Sequence, residues 1–110
     1  MATSVPALRA RPGTSPAPGT ACLLLSGELD LATGPLLVTA LDDVLATRPQ
    51  RLVVDVRDLA FVDLVGLDAL LGAQRRLAAQ GGTLVLRRPT DLVRRVVGLL
   101  GLEDRLPIEG

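Results

Sequence analysis

The chain reads as a single α/β domain, with four or five strands in a mixed sheet and helices packed on one face. Three observations predict this. Short apolar runs alternate with helix-period stripes, the order that builds strand–helix–strand units with right-handed crossovers. The length of 110 residues and the 48% hydrophobic content suit one core. Gly and Pro punctuate the changes of period, at Gly27, Pro49, Gly81–Gly82 and Gly101.

Residues 1–20 are rich in Ala, Pro, Ser, Thr and Gly. Val5 to Arg11 alternates enough for a short strand, which Pro6 and Pro12 restrict to a sheet edge. A flexible segment is the other reading of this stretch. Residues 21–110 then form the body of the domain. Ala21 to Ser26 is a compact apolar run ended by Gly27, short enough for a buried strand. Leu36, Leu37, Ala40, Leu41, Val44 and Leu45 repeat at helical spacing, which predicts a helix over 34–47. Thr33 is placed to cap it, Pro35 suits its first turn, and Pro49 marks its end. Leu52 to Val56 is β-branched and apolar, as a central strand requires.

A second helix is expected from Asp63 or Leu64 to Gln80. Leu67, Leu70, Leu71, Gln74 and Leu77 form its inward stripe, with Ala73 and Ala78 beside it. Gly81–Gly82 supplies the left-handed stop. Thr83 to Leu86 is a third core strand. Thr90 caps a last helix over 91–100, in which Leu92, Val93, Val96, Val97 and Leu100 share a face before Gly101 closes it. Leu106 to Ile108 is a short terminal strand. The predicted core contains Val54, Leu70, Leu77, Leu86 and Val97.

Composition removes several classes of function. Every basic residue is Arg, and 12 of them balance 12 acids to a net charge of 0. There is no global electrostatic case for nucleic acid or for a membrane surface. Phe61 is the lone aromatic residue, which argues against modules that stack bases. No apolar run is long enough to predict a transmembrane helix, and no secretory leader is apparent. Cys22 alone allows no intrachain disulfide, so a cytoplasmic location is the expectation. It suits a small core position.

With no His and no Lys, the chain lacks a nucleophile–base pair and a metal-ligand set, so neither an enzyme, a metal nor a cofactor is expected. Glu28 and Asp30 are a pair of acids without partners for acid–base catalysis, and Asp30 suits a turn cap. Arg75–Arg76, Arg87–Arg88 and Arg94–Arg95 either gather into a patch for an acidic partner or, the commoner case, are solvated faces.

Two short motifs carry more. Ser26-Gly27-Glu28-Leu29-Asp30 comes first. Then, after a helix and a strand, Phe61-Val62-Asp63-Leu64-Val65-Gly66-Leu67 opens the second helix. In that order they resemble the STAS domain, named for sulfate transporters and anti-sigma factor antagonists. Val53-Val54-Asp55-Val56-Arg57-Asp58-Leu59 is similar to the strand that leads into the family's switch. The resemblance spans residues 21–108.

It implies a STAS-like fold and a non-enzymatic interaction domain whose partner is an anti-sigma factor or a related serine kinase. The family pattern at the switch is aromatic, apolar, Asp, Ser, Ser or Thr, Gly, Leu. Its first Ser is the phosphorylated residue, and an added charge of about −2 there weakens docking. Here that position is Leu64 and the next is Val65, so no phosphorylation is expected at either. The resemblance implies Glu28, Asp30, Asp63, Leu64 and Asp68 as partner-binding residues. A plain helix cap is the somewhat favoured reading of Asp63. Val65 is expected to face the core, and Gly66 to allow close packing at the helix start. A subunit of a lipid-transport ATPase complex or signalling scaffold is the alternative function.

Overall fold

The computed structural model describes residues 8–15 and 17–109. Its elements are β1 (Leu8–Pro12), β2 (Thr20–Leu29), α1 (Gly34–Leu45), β3 (Arg51–Val62), α2 (Leu64–Ala79), β4 (Thr83–Arg87), α3 (Asp91–Leu99) and β5 (Ile108–Glu109). Val5, Pro6 and Ala7 of the predicted first strand lie outside the described residues. The five-stranded sheet has the order β1-β2-β3-β4-β5. β1 runs antiparallel to β2, and each later neighbour pair is parallel. Because this order never reverses, crossovers of one hand place α1, α2 and α3 on the same face of the sheet.

The core sits between that face and the helices. Leu52, Val54 and Val56 of β3 meet Leu37, Leu41 and Leu45 of α1, Leu67, Leu70 and Leu77 of α2, and Val93 and Val97 of α3 in one cluster. Val54, Leu70, Leu77, Leu86 and Val97 are all buried, as predicted. Burying each such side chain contributes roughly 1.5–3 kcal/mol. Strand side chains alternate between faces, so Cys22, Val53 and Val85 form a small second cluster on the opposite face.

Two strands are longer than expected. β2 does not end at Gly27 but continues to Leu29. Gly27 has a φ of 101° and sits at a register shift against β3. It is therefore a bulge inside the strand, in a conformation that glycine adopts without strain. β3 does not end at Val56 but reaches Val62. Its register against β2 slips twice, so Leu24 faces Asp55, Ser26 faces Asp58, Gly27 faces Leu59 and Glu28 faces Phe61. Each slip resets the inward–outward alternation. Leu59 and Val62 consequently enter the core, while Phe61 turns out.

The helices agree with their stripes in place but not in every member. Leu36, Leu92 and Leu100 are exposed rather than buried, and Ala78 and half-buried Gln74 lie outside the core of α2. The rows that face the sheet are the tighter ones, Leu37–Leu41–Leu45 and Val93–Val97. Thr33 occupies the start of α1 but makes no capping bond to it. Its buried hydroxyl donates instead to the Glu28 carbonyl at 2.8 Å. Thr90 does cap α3, accepting the Val93 N–H at 3.2 Å. Gly81 and Gly101 end α2 and α3 at φ values of 81° and 65°. The terminal strand falls on Ile108–Glu109 rather than Leu106–Ile108, and Leu106 is buried. Glu109 accepts from both Arg87 and Arg51, which fastens β5 to the sheet.

Candidate functional site

The C-terminal ends of β2 and β3 lie side by side, and each runs into a helix. Parallel sheets present their functional loops at such ends. Leu29 pairs with Val62, and the Asp63 N–H donates to the Leu29 carbonyl at 3.2 Å. The chain then enters α2 at once. Asp63 is extended, and its Oδ1 accepts the Gly66 N–H at 2.7 Å, satisfying one of the free donors of the helix start. Gly66 is buried against β2. A Cβ at that position would stand 2.5 Å from the Leu29 carbonyl oxygen. The close approach expected of Gly66 is present, and it sets how α2 leaves the sheet.

The turn after β2 is held by reciprocal bonds. Asp30 Oδ1 accepts the N–H groups of Ala32 and Thr33 at 2.9 and 3.1 Å. The Thr33 hydroxyl accepts the Asp30 N–H at 2.9 Å. Asp30 is thus a turn cap, and the turn holds Leu31 out at 72% exposure.

Leu64 opens α2 and is 58% exposed. Val65 is 51% exposed, contrary to the expectation that it faces the core, because Gly66 and Leu67 take the inward positions of the first turn. Phe61 is 42% exposed. Leu31, Phe61, Leu64 and Val65 thus form an apolar crown, in the sense that each is an exposed apolar side chain in the segments that end β2 and β3. Leu31 and Val65 lie together on the helical side, while Phe61 points to the opposite sheet face. Exposed apolar residues gathered at one end of a domain make a candidate interaction surface. Beside it a groove between α1 and α2, of about 540 Å³, is lined by Leu31, Pro35, Val38, Val65, Asp68 and Ala69.

All five sequence-predicted residues lie around this end. Glu28 is exposed within β2, opposite Phe61, and not in a loop as expected. Asp30 and Asp63 bind backbone N–H groups. Leu64 and Asp68 stand one turn apart on exposed positions of α2, with Asp68 on the groove wall. Among the described residues none of the four carboxylates is ion-paired. Leu31 and Phe61 were missed as surface residues. The signals were an apolar residue inside a polar turn and the lone aromatic, but facing cannot be read from either.

The arginine pairs do not gather into one patch. Arg76 binds Asp42 at 2.5 Å on the helical side, while Arg87 and Arg88 bind Glu109 and Asp55. Among the described residues, no three His, Cys, Asp or Glu side chains are grouped to hold a metal, and no helix is long and apolar enough to cross a membrane.

A family profile described as "Mlab, STAS domain" matches residues 14–108. The chain belongs to the STAS domain family. It is 33% identical over 85 residues to the anti-sigma-F factor antagonist RsfB of Mycobacterium tuberculosis, a match covering 77% of this chain and 69% of that protein. It is 29% identical over 91 residues to an anti-sigma F factor antagonist of Paenibacillus polymyxa, covering 82% and 78% of the two chains. The crystal structure of an anti-sigma factor antagonist from Mycobacterium paratuberculosis superposes with a TM-score of 0.81 at 28% identity, over 96% of this chain and 89% of that one. The five-stranded sheet with three helices is thus the STAS fold of anti-sigma factor antagonists.

Proposed function

We propose that this STAS domain is a non-enzymatic docking module of the cytoplasm. It binds an anti-sigma factor, or a related serine kinase, through the exposed ends of β2 and β3. The observation that carries this reading is Leu64. Where the family pattern has its phosphate-accepting Ser, this chain has an exposed leucine within an apolar crown. Buried in a complex, such a crown supplies the main attraction. Glu28 and Asp68 make the polar contacts at its rim, while Asp30 and Asp63 hold the backbone that presents it.

Neither Leu64 nor Val65 has a hydroxyl, so phosphate cannot turn this surface off at the family's switch positions. Thr33 is a poor substitute acceptor, since its hydroxyl is buried and already bonded to Glu28 and Asp30. The partner would be released by competition or turnover rather than by a kinase. The second reading, a subunit of a lipid-transport ATPase complex or signalling scaffold, draws on the same absence of a hydroxyl. In that setting a permanent contact needs no switch.

The test is calorimetry with the partner captured from the source organism. Leu64→Asp puts a charge where the interface should be dry, and desolvating it is costly. Affinity should fall at least tenfold, about 1.4 kcal/mol. Folding should change little, because an acid is favoured at a helix N-terminus. Leu64→Ser should retain binding and gain a phosphate from a cognate kinase. Unchanged affinity for Leu64→Asp would remove this end as the anti-sigma interface and put the subunit reading first.

A further inference from the structure

The sheet face away from the helices has a charge pattern of its own, which extends to exposed Glu28 near the end of β2. By strand alternation Arg9, Arg11, Arg51 and Arg87 lie on it, with Arg57 and Arg88 beside them. They are opposed there by Asp55, Asp58 and Glu109. A chain of zero net charge thus gathers positive charge on one face.

Where the β2–β3 register slips between Leu24 and Ser26, a cavity of about 120 Å³ opens among Arg11, Ser26, Asp55, Arg57, Asp58 and Arg88. Asp55 is 4% exposed and fully engaged, accepting the Arg57 N–H at 3.0 Å on Oδ1 and the Arg88 guanidinium on Oδ2. Arg88 reaches it from a left-handed backbone with φ of 53°, a conformation uncommon for a residue other than glycine. Asp58 is a distant partner of Arg57 at 3.7 Å. Arg11 has no acidic partner among the described residues.

We propose that this recess binds a small tetrahedral oxyanion of the phosphate or sulfate class, held by Arg11, Arg57 and Arg88 with the Ser26 hydroxyl. Guanidinium groups present paired donors that match the oxygens of such an anion. The recess suits a tetrahedral ion, and it falls well short of the several hundred Å³ typical of sites for nucleotide-sized ligands. The bulge supplies the opening that a regular ladder would close.

The experiment is a titration of the full chain with sodium phosphate, followed by amide NMR, against sodium chloride at matched ionic strength. Saturable shifts are expected at Ser26, Arg57 and Arg88. Arg11→Ala and Arg57→Ala should each weaken the apparent Kd by roughly fivefold or more, as loss of a charged hydrogen bond does, while Arg94→Ala on α3 should leave it unchanged. Glycerol 3-phosphate in parallel separates a free ion from a phosphoryl group carried on a small molecule, and saturable binding of either supports the site. Shifts that chloride reproduces, or a Kd unaltered in both Arg11→Ala and Arg57→Ala, would overturn it.

Discussion

Gly66 joins local chemistry to the proposed docking surface. Replacing glycine by alanine inside a helix ordinarily stabilises it by up to about 1 kcal/mol. Here the new methyl would meet the Leu29 backbone at 2.5 Å, and a backbone carbonyl cannot rotate aside. Gly66→Ala should therefore destabilise the fold by roughly 1–3 kcal/mol, the usual cost of overpacking, and should tilt Leu64 and Val65 out of register with Phe61. Urea denaturation measures the first effect; a variant as stable as the parent would show that the close approach is absent in solution. The sequence pointed to Asp63 and Gly66 because a cap and a close-packing glycine are local requirements of a helix start. It misjudged Val65 because facing depends on how α2 is rotated about its axis. That rotation is set by Gly66 and Leu67 against the sheet, a contact between elements that the spacing within α2 does not reveal.

At the scale of the elements, α2 shows what helical spacing delivers. Its row of Leu67, Leu70, Leu71, Ala73 and Leu77 is buried, and truncating its centre should be severe. Leu70→Ala is expected to cost roughly 2–5 kcal/mol through lost burial and the cavity left behind. Thermal or chemical unfolding checks it, and a loss under about 0.5 kcal/mol would mean another face is inward. Helices were legible because a 3.6-residue stripe survives small changes at its margins. Leu36, Leu92 and Leu100 show the limit, since a leucine at the edge of a stripe is apolar in sequence whether or not anything covers it. Strand ends were harder. Gly27 looked like a terminator and is a bulge, and the slips along β3 hid its second half, because a register shift between strands distant in sequence breaks the period-two pattern.

The molecule as a whole distributes its charges unevenly, with acids free of ion pairs around the proposed docking end and arginine–carboxylate clusters on the sheet face away from the helices. Burial pushes the Asp55 carboxyl up, but the hydrogen bonds from Arg88 and the Arg57 N–H, with the charges of both arginines, outweigh it and hold Asp55 below the usual range. Hydrogen bonds from Arg87 and Arg51 hold Glu109 low as well. Both groups bind a proton more weakly folded than unfolded. Their stabilisation is therefore present above the ordinary carboxylate values near pH 4 and is lost as the pH falls through the lower folded values. Asp55→Asn should be less stable than the parent at pH 7, and the difference in Tm should shrink as the pH is lowered from about 4 to 2. Melting curves across that range check it; a constant difference would mean that Asp55 is not held low.

Periodicity, glycine and proline punctuation and two short motifs were enough to specify a STAS-like α/β domain, its three helices, its central strands and the neighbourhood of Leu64. The helices and strands rest on chemistry within a few residues along the chain, namely apolar spacing, caps and helix stops, while the STAS likeness and the position of Leu64 in it rest on the resemblance of the two motifs. Packing between distant segments settled the rest. The two slips of β3 against β2 turned Phe61 outward and opened the arginine-lined recess. The contact of Gly66 with Leu29 turned Val65 to the surface, and the Asp30–Thr33 turn raised Leu31 beside it. A side chain's facing is a property of two elements in contact, so one strand or helix read alone carries its composition but not the direction in which it points.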